Sequence, residues 1–245
     1  MNPNCIKIDQ NNHQRTPLAG SNLAQLNQTL GQLSALERIE TALNHLPGQF
    51  ALTSSFGIDA AVSLHLLNEV APGIPVILID TGYLFKETYQ YAETLTERLK
   101  LNLQVYQSPI STARFEALHG QLWQQGLAGI EQYNQARKVE PLEAAFKGLN
   151  INSWFTGVRR SQSAVRRKLP WVAMKNKRHK IHPILDWTDR EMYQYLKQHG
   201  LPQHPLFERG YLTVGDTHST RSIHEVTDPE QLRFLGLKRE CGIHE

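Results

Sequence analysis

From Leu23 onward, apolar residues recur at threes and fours through Leu26, Leu30, Leu33, Ile39, Leu43 and Leu46. That is the spacing of one buried face on amphipathic helices, and Pro47-Gly48 ends it. Phe50 to Thr53 then reads as a short apolar strand. Ser54-Ser55-Phe56-Gly57-Ile58-Asp59 makes a turn, and Ala60 to Val70 is a helix with Ala61, Val62, Leu64 and Leu67 on its apolar side. Pro75-Val76-Ile77-Leu78-Ile79, bounded by Pro and by Asp80-Thr81-Gly82, has the length and composition of a strand buried on both faces. Lys86 to Leu99 predicts a helix, Leu103 to Tyr106 a strand, Pro141 to Leu149 a helix and Ser153 to Val158 a strand. Repeated strand-helix units predict an α/β fold, a mostly parallel sheet with helices on both faces.

In such a sheet, ligands bind beyond the carboxyl ends of the strands. Three segments leave those ends, 54–59, 80–83 and 157–160, and they are expected to converge on one crevice. Ser54 and Ser55, with backbone N–H groups at a helix start, form a seat for phosphate, and Gly57 lets the backbone come close. The loop lacks the Gly-Lys-Ser/Thr ending of a Walker A motif. Asp80, Thr81 and Gly82 are nucleotide candidates from the second loop, although an Asp there serves equally as cap or turn residue. The third loop carries Arg159, Arg160, Arg166, Arg167 and Lys168 in one short stretch, and Lys138, Arg221, Arg233 and Arg239 add further cations. A charge run is ordinarily a solvated face, but guanidinium forks at a sheet edge suit phosphate and sulfate oxygens. Trp123, Trp154, Trp171 and Trp187 read as packing residues.

At 245 residues, with 40% hydrophobic and 20% charged positions, the chain can bury a full core. The expected organisation is a disordered Asn/Gln-rich leader over 1–20, one nucleotide-binding domain over 21–230, and a mobile carboxy-terminal tail over 231–245. No apolar run has membrane-spanning length and no signal segment opens the chain, so a cytoplasmic location is expected. A formal charge of +3 suits an anionic ligand and is too small to imply nucleic acid.

The two cysteines are Cys5 and Cys241, too few for a four-cysteine zinc site. Cys241 sits in Lys238-Arg239-Glu240-Cys241-Gly242-Ile243-His244, near the end of the chain. A lone Cys is usually a small buried hydrophobe. Here the polar neighbours would have to be desolvated with it, and Lys238, Arg239 and a protonated His244 favour thiolate while Glu240 opposes it. Cys241 reads as a nucleophile.

Ser-Ser-Phe-Gly-Ile-Asp, Ile-Asp-Thr-Gly-Tyr-Leu-Phe, Arg-Lys-Val-Glu-Pro-Leu, Thr-Gly-Val-Arg-Arg-Ser-Gln-Ser, Gly-Tyr-Leu-Thr-Val-Gly-Asp-Thr-His-Ser-Thr-Arg and Lys-Arg-Glu-Cys-Gly-Ile-His follow in that order. Over about residues 50–245 the chain thus resembles the sulfonucleotide reductases, in particular the thioredoxin-dependent, cluster-free phosphoadenylyl-sulfate reductases. The resemblance implies an adenine nucleotide alpha-hydrolase-like fold, related to the ATP pyrophosphatases. It implies that Cys241 attacks the sulfur of the phosphosulfate, and that thioredoxin, or glutaredoxin as the alternative donor, releases sulfite from the resulting S-sulfocysteine. His244 would orient the sulfonate or stand idle. Cluster-bearing members carry cysteines where this chain has Tyr133, Asn134, Asp216 and Ser219, so no iron-sulfur cluster and no bound metal or other cofactor are implied. The 3′-phosphorylated substrate is implied, with adenylyl sulfate as the alternative, and so is a homodimer. The residues alone leave two other classes open: an ATP pyrophosphatase-type ligase or sulfurtransferase, and a non-catalytic sulfonucleotide sensor.

Overall fold

The computed structural model describes residues 23–237. Cys5, Arg239, Cys241 and His244 lie outside the described residues, as do the expected leader and most of the expected tail. Two helices open the described chain, α1 (Leu23–Leu30) and α2 (Ala35–His45). Ser34 starts α2 with a reciprocal cap, its hydroxyl accepting from the Glu37 N–H while the Glu37 carboxylate accepts the Ser34 N–H. The chain then alternates through β1 (Gln49–Thr53), α3 (Ala60–Val70), β2 (Pro75–Asp80), α4 (Lys86–Leu99) and β3 (Asn102–Gln107). After α5 (Thr112–His119) come α6 (Gly126–Asn134) and α7 (Glu140–Gly148), joined by a π-helical stretch, Gln135–Val139, that carries Arg137 and Lys138. The last elements are β4 (Ile151–Thr156), β5 (Val172–Lys175), β6 (Arg178–Ile181) and α8 (Asp189–Gln198).

The six strands form one sheet in the order β3-β2-β1-β4-β6-β5, parallel except for β5, which pairs antiparallel with β6. Side chains alternate across it as the two-residue period of a strand demands. Phe50, Leu52, Val76 and Leu78 pack into the larger core with α1, α2, α3, α4 and α8. Ala51, Ile77, Ile79 and Trp154 point the other way, against Leu142, Ala145 and Phe146 of α7. Both faces are covered, as the mostly parallel sheet expected from the sequence requires. The β5–β6 hairpin is an addition to that expectation, and its tight turn places Asn176 and Lys177 at φ of 48° and 62°.

Two histidines are locked inside this frame. His182 bonds Thr156 Oγ1 through Nδ1 at 2.6 Å, and burial, reinforced by Lys180, Arg166 and Arg160, pushes it down to about 3. His204, against Thr88 Oγ1 and the Leu206 N–H, is pushed down by burial to about 4. Below pH 6.5 the unfolded chain therefore binds more protons than the folded one. Stability should fall as pH drops from about 6.5 toward 4, by up to about 1.4 kcal/mol per pH unit for each proton. Urea titrations at pH 7, 6 and 5 check this, and an unchanged midpoint would count against it.

Candidate active site

The strand order runs outward in opposite directions from β1 and β4, which makes the space beyond their carboxyl ends the switch point of the sheet. A cleft of about 620 Å³ opens there. Ser54, Ser55, Gly57 and Asp59 line one side, Gly157, Arg159, Ser161, Gln162, Ser163 and Arg166 another, and Arg233 comes from near the end of the described chain. Tyr193, Phe207 and Leu212 contribute exposed apolar surface to the rim.

The β1 side is built by backbone geometry. The Ser54 N–H continues the strand ladder to Ile77 O, and its Oγ accepts the Phe56 N–H at 3.1 Å. Phe56 holds φ at 49°, a left-handed conformation unusual for an aromatic residue, while its ring is completely buried. A Cβ on Gly57 would meet only Val214 O and Ser55 Oγ at ordinary contact distances, so the space that glycine leaves open is the cleft itself. On the β4 side, a Cβ on Gly157 would sit 2.9 Å from Ser63 Oγ, which fixes how closely the strand end meets α3.

Arg159 forms the most heavily bonded point of the cleft. Its Nη1 reaches Asp189 Oδ1 at 2.7 Å, Ser161 Oγ and Trp187 O, and its Nη2 reaches Asp59 Oδ2 at 2.6 Å. Asp59 precedes α3 but makes no side-chain cap, because its carboxylate is turned to this guanidinium. Burial raises the Asp59 carboxyl above its ordinary value, and Asp189 adds to that while Arg159 opposes it. Arg166 is bonded to Gln162 Oε1.

Asp80, Thr81, Gly82, Lys138, Arg160 and Arg221 are not among the residues that line the cleft. Asp80 Oδ1 accepts from Gly82 N–H and from the Tyr89 hydroxyl, the turn-residue role. Gly82, at φ 76°, lies where a Cβ would collide with Thr112 Cγ2. Thr81 donates to Asp216 Oδ1, and the other oxygen of Asp216 is 2.6 Å from Lys138 Nζ, all three side chains being buried. Burial alone would raise the Asp216 carboxyl; the Lys138 ammonium and the Thr81 hydroxyl reverse this and hold it at about 2. His218 stacks on Trp123 at 4.0 Å beside this pair, edge-on to Tyr83 and Tyr133. Lys138 and Arg233 both approach the Phe234 ring, at 5.5 Å each. Arg160 instead donates to Leu169 O and lies over Trp171, and Arg221 donates to Thr220 O.

Sequence reasoning found the serines, Gly57, Arg159, Arg166 and Arg233 of the cleft and missed its carboxylates. Asp59 was read only as the end of a turn. Asp189 had one available signal, the Thr188-x-x-Glu191 capping box that starts α8 beside it.

A family model for the phosphoadenosine phosphosulfate reductase domain matches residues 49–222. Phosphoadenosine 5′-phosphosulfate reductase of Klebsiella pneumoniae is 56% identical over 223 residues, covering 91% of this chain and 91% of that protein. The enzyme so named in Xanthomonas campestris pv. campestris is 57% identical, covering 91% and 92%. Among solved structures, phosphoadenylyl-sulfate reductase from Candida auris, in a phosphate complex, superposes with a TM-score of 0.72 at 29% identity over 83% of this chain and 98% of that one. FMN adenylyltransferase of Candida glabrata, at 15% identity and a TM-score of 0.55 over 84% of this chain and 72% of that one, shares the fold alone. The fold is thus adenine nucleotide alpha-hydrolase-like, and the chain belongs to the phosphoadenosine phosphosulfate reductase family.

Proposed function

We propose that this protein reduces 3′-phosphoadenylyl sulfate to sulfite and adenosine 3′,5′-bisphosphate in assimilatory sulfate reduction, with thioredoxin as the electron donor. The observation that carries the reading is the cleft at the β1/β4 switch point, with its serine loop facing arginines, in a chain more than half identical to named reductases. In this reading Ser54, Ser55 and the N–H groups at the start of α3 seat a phosphate, and Arg166 and Arg233 offset charge on the departing phosphate.

Cys241 supplies the nucleophile. Its thiolate attacks the sulfonyl sulfur, an S–S bond forms as the S–O bond to the 5′-phosphate breaks, and the nucleotide leaves with that electron pair. A thioredoxin thiolate then attacks the Cys241 sulfur, sulfite leaves, and the second thioredoxin cysteine closes the donor's disulfide and returns the Cys241 thiol. The two electrons come from thioredoxin, so one cysteine on this chain suffices. Cys241 follows Arg233 by eight positions, a length of chain that spans up to about 28 Å when extended. That reach is ample for a cleft Arg233 already lines.

The side chains at the positions where cluster-bearing relatives carry cysteines support a cluster-free reaction. A phenol, an amide, a carboxylate tied to Lys138 and a hydroxyl bonded to Asp216 O offer no thiolate to iron. Thioredoxin docking, a homodimer and a cytoplasmic location remain parts of the same proposal, and among the described residues no helix is long and apolar enough to cross a membrane.

Incubation with the phosphosulfate nucleotide without reductant should add the mass of one SO3 group to Cys241, and reduced thioredoxin should discharge it as sulfite. Finding no adduct while sulfite still forms with thioredoxin would overturn the covalent step. A second expectation concerns Gly215, where a Cβ would come within 2.2 Å of Arg233 Nη1. Gly215→Ala should push the flexible end of Arg233 aside and raise KM several-fold, with stability changed by less than about 1 kcal/mol. Kinetics with a parallel thermal melt check it.

A further inference from the structure

Two carboxylates line a cleft whose other polar walls suit an anion. Asp59 and Asp189 share the guanidinium of Arg159, so among the described residues these three side chains carry one net negative charge when both carboxylates are ionised. The two differ in surroundings. Asp189 is 88% exposed and stays hydrated, whereas Asp59 is 28% exposed and lies at the foot of the loop that begins with Ser54 and Ser55. From the sequence loops and helices around it, Asp59 faces Arg159 and Asp189, and Tyr91 of α4 feels its charge. Arg166, Arg233 and Tyr193 line the same cleft. Tyr91 is neutral throughout the working range, since burial raises its hydroxyl further.

A polyanionic nucleotide entering this space must approach a carboxylate that, among the described residues, shares its guanidinium with a second carboxylate. Desolvation and added negative charge act on Asp59 in the same direction, toward its neutral acid form. We infer that Asp59 is a positioning residue that takes up a proton when the nucleotide binds, and that as a neutral acid it leaves the Arg159 guanidinium to Asp189 and the incoming anion. This rests on the sulfonucleotide reading of the cleft. The raised carboxyl of the empty protein supports it, because the group starts part of the way there.

The linkage has a definite sign. If the bound state holds more protons than the free state, affinity rises as pH falls, by up to about tenfold per pH unit for one full proton. The probe is adenosine 3′,5′-bisphosphate, titrated calorimetrically at pH 6.0, 6.5, 7.0 and 8.0 in pairs of buffers that differ in ionisation enthalpy. The free ligand's own phosphates titrate near pH 6 whichever variant is tested. Wild type should take up more protons per nucleotide than Asp59→Asn, the difference growing within this pH range and staying at or below one proton. Asp59→Asn should also bind tighter than wild type at pH 8. Asp189→Asn, at an exposed position, removes a like charge and should shift the proton-uptake window of Asp59 to lower pH without abolishing it.

Equal uptake by wild type and Asp59→Asn would overturn the inference. Should Asp59→Asn fail to fold by circular dichroism, an unshifted window in Asp189→Asn would overturn it instead. Binding that depends on added Mg2+ and not on pH would assign Asp59 to a cation and overturn it as well. No binding of the bisphosphate to wild type at any pH would remove the sulfonucleotide reading of the cleft and this inference with it, whereas binding without proton uptake removes the inference alone.

Discussion

Cys241→Ser should reduce sulfite formation by about 10³-fold or more while leaving nucleotide binding within a few-fold of wild type. A hydroxyl is protonated and weakly nucleophilic at neutral pH where a thiol is partly ionised, and loss of an enzyme's nucleophile commonly costs several orders of magnitude. Binding should survive because the serine loop, Arg159 and Arg166 line the cleft at the strand ends and a Cys-to-Ser change leaves them in place. Coupled thioredoxin turnover measures the first quantity and bisphosphate titration the second. A serine variant that still released sulfite at wild-type rates would remove the thiol from the mechanism, whereas wild type that bound nucleotide without turnover would favour the sensor reading, and adenylate formation from ATP indifferent to this change would favour the ligase.

The second large effect is on stability. Asp216→Leu should destabilise the protein by about 3–5 kcal/mol, because it leaves the Lys138 ammonium buried without a partner. For a chain of this length that is a fall in Tm of about 6–20 °C. Lys138→Met should cost a similar amount by stranding the carboxylate. The double variant Lys138→Met with Asp216→Leu should recover most of the loss, since removing both charges removes the desolvation that made either single change costly. Thermal melts of the four proteins close the cycle, and additive losses would show that the pair is not coupled. The sign with pH follows from the same contact. Asp216 is held below its unfolded value, so the pair's contribution is present above about pH 4 and is lost as pH falls toward 2.

The sequence exposed the parts of this molecule whose cause is local. Helices Ala60–Val70 and Lys86–Leu99 stand where their apolar spacing put them, and the runs at Phe50 and Pro75 became β1 and β2 with at most one further residue at an end. The strand expected over Ser153 to Val158 runs from Ile151 to Thr156, because the apolar Val158 belongs to the loop beyond the sheet and not to the ladder. Strands β5 and β6 escaped notice for a similar reason: Val-Ala-Met-Lys and Arg-His-Lys-Ile are too short and too polar to show alternation, and tertiary pairing with β4 decides them.

The site divides along the same line. Ser54, Gly57 and Arg159 were legible because a strand-to-helix turn and a basic cluster at a sheet edge announce themselves. That Arg159 would be held by Asp59 and Asp189, and Lys138 by Asp216, depends on contacts between residues far apart in the chain. One sequence lists the charges without their partners. Lys138, expected from the sequence to touch the ligand, is paired with Asp216 and is not among the residues that line the cleft.

Phe56 carries a consequence for how the pocket fills. Its backbone adopts a glycine-like conformation that the buried ring will not let go, so the curvature of the serine turn is settled when the core folds. An anion that bound at this turn would meet a backbone already fixed, with little chain entropy left to lose on capture. Tight association with this turn then demands no induced fit from it, and any rearrangement during turnover falls to other parts of the protein.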